Sequence, residues 1–178
     1  MAILKIARMG HPILTSRALP VEQPGSPEIR RLVRDMIETM LDASGAGLAA
    51  PQVHVPLRLF VFRVSAERAG PDAEEVPVTT VINPEVELLG EERVPGWEGC
   101  LSIPGLNAVV PRAWRIRYAG IDCDGRRVEA VASGFHARVV QHEYDHLDGI
   151  LYPMRMQDFS KFGFTEELTR ARTMEEAL

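Results

Sequence analysis

The stretch Gln141-His142-Glu143-Tyr144-Asp145-His146-Leu147-Asp148-Gly149 decides how the rest of the chain is read. Side chains four positions apart share one face of a helix, so a helix here lets His142 and His146 take one metal ion together. The flanks favour that helix. Ser133 stands as a cap, Phe135, Val139, Val140 and Leu147 recur in helical phase, and Gly149 can stop the helix, with Pro153 beyond it. Glu143 adjoins the first histidine, where its carboxylate can reach a water on the metal without being a ligand. The plainer reading is a surface helix that merely holds two histidines, and the cap, the apolar phase and the glycine stop together oppose it.

Upstream, residues 3–8 predict a short first strand, followed by a turn at Gly10-His11-Pro12. Ser26 and Pro27 open a helix whose apolar stripe is Ile29, Leu32, Val33, Met36, Ile37, Met40 and Leu41; Gly45 can end it in a left-handed conformation. Residues 45–52 form a small-residue loop, and Leu57 to Val64 a strand. Residues 65–77 look like an exposed loop. Val78 to Ile82 and Val86 to Leu89 read as two strands divided by Asn83-Pro84. Trp114 to Ile121 alternates as a half-buried strand, Asp124-Gly125 signals a hairpin turn, and Arg127 to Val131 returns. A last helix starts near Thr165 and runs to the C-terminus. Strands cluster in the middle with helices before and after, which predicts α+β rather than alternating parallel units.

Composition sets the frame. The chain has 178 residues, 46% hydrophobic and 25% charged, enough for one domain over residues 1–178 with a real core. The formal charge of −5 argues against a general nucleic-acid binder. No segment is long and apolar enough to cross a membrane, and the start lacks the order of a signal peptide, so a cytoplasmic protein is expected. The two cysteines, Cys100 and Cys123, do not make a disulfide scaffold. Cys123, beside a turn, reads as a small buried hydrophobe.

The helix supplies two ligands, and candidates for a third discriminate between classes. One metalloprotease pattern continues with a glycine and a third histidine, but Tyr152 occupies the place of that histidine. A second class draws on a later glutamate. Glu166 and Glu167 are in range, although acidic residues there also suit the opening turn of a helix. The remaining candidate is Cys100, in Glu98-Gly99-Cys100-Leu101-Ser102, since a thiolate is a strong ligand for zinc or ferrous iron. The glycine segment Gly45-Ala46-Gly47-Leu48-Ala49-Ala50-Pro51-Gln52 lacks the lysine and hydroxyl of a phosphate cradle, and suits close approach of a peptide backbone instead.

Taken in order, the blocks at 45–52, 98–102 and 141–149 resemble those of peptide deformylases, which remove the formyl group from new bacterial and organellar proteins. The resemblance implies mainly antiparallel strands surrounding a central helix, with an N-terminal and a C-terminal helix. It implies Cys100, His142 and His146 as metal ligands and Glu143 as general base and acid for a water on the metal. Gln52 and the backbone N–H of Leu101 would bind the formyl oxygen, and Gly45, Gly47, Gly99 and Val139 would line the substrate's path. It also implies Fe(2+), with Zn(2+) the alternative; a thiolate ligand makes either ion less Lewis acidic than a third imidazole does. Expected partners are formylated nascent peptides at the ribosome exit, with no membrane and no sequence-specific nucleic acid, for a monomer or homodimer. Two features depart from the pattern. No arginine follows the cysteine block before Arg112, and Arg138 stands at a pocket position, where it is expected to face solvent.

Overall fold

Continuous apolar character in Leu59-Phe60-Val61-Phe62 marks a strand buried on both faces, and it organises the molecule. The computed structural model describes residues 2–69 and 75–176. In it, β2 (Leu59–Val64) pairs antiparallel with β1 (Gly47–Ala49) on one side and with β3 (Val76–Leu88) on the other. Beyond β3 follow β6 (Arg115–Ile121) and β7 (Arg127–Ser133), completing a five-stranded antiparallel sheet in the order β1-β2-β3-β6-β7. Leu59 and Val61 pack with α1 (Pro27–Asp42), while Phe60, Phe62 and Val64 pack on the other face with α3 (Gly134–Leu147). A second, three-stranded antiparallel sheet, ordered β4-β5-β8, comprises β4 (Arg93–Cys100), β5 (Ile103–Ala113) and β8 (Phe162–Phe164). Two further helices are α2 (Ala66–Ala69) and α4 (Thr165–Glu176). The result is a mixed α+β fold with antiparallel sheets.

α1 follows its sequence signals. Ser26 accepts a hydrogen bond from the Ile29 N–H, Pro27 opens the helix, and Ile29, Val33, Met36 and Met40 are buried, although Leu41 is exposed. The left-handed residue at its end is Ser44 (φ 53°), not Gly45 as expected. What Gly45 provides is space, since a Cβ there would stand 3.0 Å from Leu101 Cδ1. At the start of the chain no strand forms over residues 3–8: this segment is tied by single bonds, Leu4 N–H to Thr39 Oγ1 and Ala7 N–H to Gln52 O, with Met9 N–H to Ser102 O just beyond it. The predicted loop at 45–52 is instead β1 followed by a 3-10 turn over Ala50–Val53. The expected loop at 65–77 contains α2, and its residues 70–74 lie outside the described residues. The two strands expected around Asn83-Pro84 are one, β3; Asn83 takes φ 50°, and the register shifts between Ile82 and Glu85. In β6, Ile116 and Tyr118 are buried as expected, whereas Trp114 just before it stays 45% exposed.

The β4–β5 hairpin went unpredicted, because Pro95, Gly96, Gly99, Pro104, Gly105 and Pro111 argue against strands. Its topology accommodates them. β4 is an edge strand, and β8 pairs with β5 only at Leu106–Ala108, so the prolines fall where no third strand needs their missing N–H. Next to this hairpin, α3 packs against β1, β2, β3, β5, β6 and β7. Ser133 precedes α3 without a side-chain cap bond, while Gly149 (φ 73°) ends the segment as expected, its Cα facing the Thr15 backbone where a Cβ would stand 2.7 Å away.

Candidate active site

The last two turns of α3 and the end of β4 meet over one cavity. His142 and His146 are both buried and separated by one turn, and Cys100, half-buried, closes β4 opposite them. The Cys100 Sγ lies 3.2 Å from His146 Nε2, and one ligand atom from each of the three residues lies within 4.8 Å of the others. Buried Gln52 accepts from the Ala49 N–H at 2.8 Å through Oε1. Its Nε2 donates to Ser102 Oγ at 3.1 Å and to Cys100 Sγ at 3.4 Å. The β1 start, the β4–β5 turn and α3 enclose about 590 Å³ lined by Gly45, Gly47, Gln52, Gly99, Cys100, Leu101, Val139, His142 and Glu143. Every predicted site residue except His146 lines that cavity, and His146 lies directly behind it against Cys100.

Glu143 is 4% exposed, and its Oε2 has no hydrogen-bond partner. Burial pushes its carboxyl up to about 7, outweighing the opposing pull of His142. Gly47 fits against it: a Cβ at that position would stand 2.6 Å from Glu143 Cδ. The glycine therefore allows β1 to press a buried carboxylate into the cavity, a role the loop reading did not foresee.

Sequence reasoning assigns no role to Glu98, Arg112, Asp145 or Arg155, yet they form a charged network beneath the histidines. Glu98 Oε2 stands 2.8 Å from His142 Nδ1, and Arg112 donates to both Glu98 oxygens, at 2.9 and 3.0 Å. Arg112 Nη1 reaches Asp145 Oδ2 at 2.5 Å, and Arg155 Nη2 reaches Asp145 Oδ1 at 2.7 Å. Burial alone would raise the Glu98 carboxyl, but hydrogen bonds from His142 and Arg112 hold it well below the usual carboxylate range. An ionised Glu98 must accept from His142, which places a proton on Nδ1 and leaves Nε2 as the ring atom that can hold an ion. The signal was partly legible: Glu98 and Asp145 sit inside the quoted blocks. Arg138 is a correction. It does not face solvent: its side chain is 11% exposed and bonded to Glu98 and to strand carbonyls.

The donor set fits a metal. Two imidazoles and a thiolate suit zinc or ferrous iron, and three protein ligands leave coordination open, whereas structural sites are closed by four. Among the described residues the group that could hold an ion is Cys100, His142 and His146 alone. Glu166 and Glu167 lie outside it, in the first turn of α4, where Glu167 pairs with Arg170. Tyr152, at the place of the missing third histidine, stacks against His142 with ring centroids 6.2 Å apart.

Comparison with known proteins agrees with this geometry. The family model for polypeptide deformylase matches residues 3–162. Peptide deformylase 2 of Ralstonia nicotianae is 53% identical over 166 residues, 93% of this chain and 94% of that protein. Peptide deformylase 1 of Xanthomonas campestris is 53% identical over 167 residues, 94% of this chain and 98% of that protein. Among solved structures, peptide deformylase from Ehrlichia chaffeensis superposes with a TM-score of 0.81 at 32% identity, covering 98% of this chain and 97% of that one. The Met-Ala-Ser-bound class I type b peptide deformylase from Acinetobacter baumannii gives 0.79 at 38% identity, covering 87% of this chain and all of that one. With a family match over most of its length and relatives above half identity along nearly all of it, the chain belongs to the polypeptide deformylase family.

Proposed function

We propose that this protein removes the formyl group from the N-terminal formyl-methionine of newly made proteins, as one catalytic domain spanning residues 1–178. The observation that carries the reading is a buried, unpartnered Glu143 Oε2 in the same cavity as the clustered Cys100, His142 and His146. Strands surround the helix that bears the two histidines, as α3's packing against six of them supports. Cys100 Sγ and the Nε2 atoms of His142 and His146 would hold the ion, Fe(2+) in this reading with Zn(2+) the alternative. When bound, the ion supplies Lewis acidity, polarising the formyl oxygen and lowering the pKa of water.

The chain's own groups account for the remaining steps. Glu143 Oε2 takes a proton from water as its oxygen adds to the formyl carbon. A carboxyl that burial raises toward about 7 can both take and return that proton near neutral pH. Charge then develops on the formyl oxygen, where the Gln52 amide and the Leu101 N–H would stabilise it. The C–N bond breaks, and Glu143 delivers the proton to the departing nitrogen. The products are formate and a free amino terminus. Glu98, fixed by Arg112, keeps His142 oriented through its Nδ1–H. Gly45, Gly47, Gly99 and Val139 line the peptide's path. The substrate is a nascent formylated peptide, met in the cytoplasm at the ribosome exit.

The test is selectivity. Gln52, Leu101 and Glu143 crowd the reacting carbon from three elements, leaving room for a hydrogen but little for a methyl. Overpacking a rigid site costs about 1–3 kcal/mol, before any loss of aligned geometry. Formate release from a formyl-methionyl peptide, with little or no hydrolysis of its acetyl counterpart, is expected when kcat/KM is compared on one metal-loaded preparation. Equal values would contradict the reading, and cleavage inside the peptide would point to a metallopeptidase.

A further inference from the structure

Arg138 is a half-buried cation lining the cavity, and the proposed reaction gives it no part. It sits on α3 one turn before His142. Its Nη1 donates to Glu98 Oε1 at 2.8 Å, to Val110 O at 2.7 Å and to Gly96 O at 3.3 Å; its Nη2 donates to Val94 O at 2.7 Å. Val94 and Gly96 belong to β4 and Val110 to β5, so one planar guanidinium joins both strands of the hairpin to α3. Gly96 is fitted to that group: a Cβ there would stand 2.6 Å from Arg138 Nη2 and 2.8 Å from Cζ. Its charge is paired with Glu98 and its remaining N–H groups with strand carbonyls, which explains how an arginine can stand in the cavity wall.

Glu98 does not depend on Arg138 for its orientation, because Arg112 holds both of its oxygens independently. What Arg138 adds is the bond from the helix to the β4 backbone. We infer that Arg138 is a specificity-determining positioning residue. By tying Val94, Gly96 and Val110 to α3, it fixes how far the β4 wall stands from Val139 and Glu143. That separation is the width available to the substrate's first side chain. The inference rests on the proposed deformylase reading and adds to it the device that sets the pocket's selectivity.

The experiment compares kcat, KM and bound metal for wild type, Arg138→Met, Arg138→Lys and Gly96→Ala, using formyl-Met-Ala-Ser and formyl-Phe-Ala-Ser. Arg138→Met should keep its metal and hold kcat on the methionine peptide within a few-fold, while KM rises. Its methionine-over-phenylalanine ratio in kcat/KM should fall by about tenfold, the discrimination that a single misfitted methylene can carry. Arg138→Lys should recover part of the ratio. Gly96→Ala, which displaces the guanidinium from the other side of the contact, should lower the ratio too and add little in the double variant. An unchanged ratio in Arg138→Met overturns the inference, and so does loss of metal and kcat with KM unmoved. If Arg138→Met does not fold, an unchanged ratio in Gly96→Ala overturns it alone. Failure of the wild type to release formate from either peptide would refute the deformylase reading rather than the role of Arg138.

Discussion

Replacing Arg112 with methionine should destabilise the protein more than any surface charge change. The Arg112 side chain is 6% exposed, and its two partners Glu98 and Asp145 are 4% and 8% exposed. It donates three hydrogen bonds, two to Glu98 and one to Asp145. Methionine fills similar space, so the loss is electrostatic rather than a cavity. Removing one partner of a buried ion pair is destabilising by about 3–5 kcal/mol, because the other charge is left uncompensated. Here each carboxylate keeps a second cation, Arg138 for Glu98 and Arg155 for Asp145. The lower end, about 3 kcal/mol, is therefore expected, which for a chain of this size lowers Tm by roughly 6–12 °C. Arg117→Met is the control. Its pair with Glu87 is 49% and 62% exposed, and an exposed pair of that kind contributes under about 1 kcal/mol. Thermal unfolding by circular dichroism, on equally metal-loaded proteins, reads both. If Arg112→Met melts no lower than Arg117→Met, the buried network does not carry the stability assigned to it.

Glu143→Gln should retain bound metal and lose about 10²–10⁴-fold in kcat, the usual worth of a positioned acid–base group; a metal-free variant, or near-normal turnover, would be inconsistent with that role. His136 donates or accepts at Tyr118 OH, 3.2 Å away, and burial lowers its pKa. The fold thus favours the neutral ring, so its contribution is full above the unfolded value of about 6.5 and is lost as pH falls through that value toward the folded one. His136→Gln should accordingly flatten the fall of Tm between neutral and mildly acidic pH, and parallel curves for the two proteins would refute the assignment.

The helix α3 was legible because local signals agreed along it: cap position, helical phase and glycine stop all lie within seventeen residues, Ser133 to Gly149. α1 was legible for the same reason, from Ser26 and Pro27 onward. The β4–β5 hairpin was not, since its prolines and glycines argue locally against strands, and only the edge position of β4 and the short pairing of β8 along β5 make them admissible. Gly47 was expected in a loop, yet lies in β1 paired with Phe62, where its missing Cβ lets the strand pass the Glu143 carboxylate. Arg138 was misplaced for a related reason. Charge predicts exposure unless acceptors are supplied, and its acceptors at Val94, Gly96 and Val110 are 28 to 44 residues away in sequence. The Glu98–Arg112–Asp145 network is likewise assembled from three elements, which no periodicity announces.

The most direct test of the central claim is bound metal per chain, measured by elemental analysis on wild type, Cys100→Ala and Glu166→Ala loaded anaerobically with Fe(2+). Metal affinity follows ligand number and type. Wild type and Glu166→Ala should each hold one ion per chain, and Cys100→Ala should hold little or none. Full occupancy in Cys100→Ala, or its loss in Glu166→Ala, would contradict a centre built on Cys100, His142 and His146.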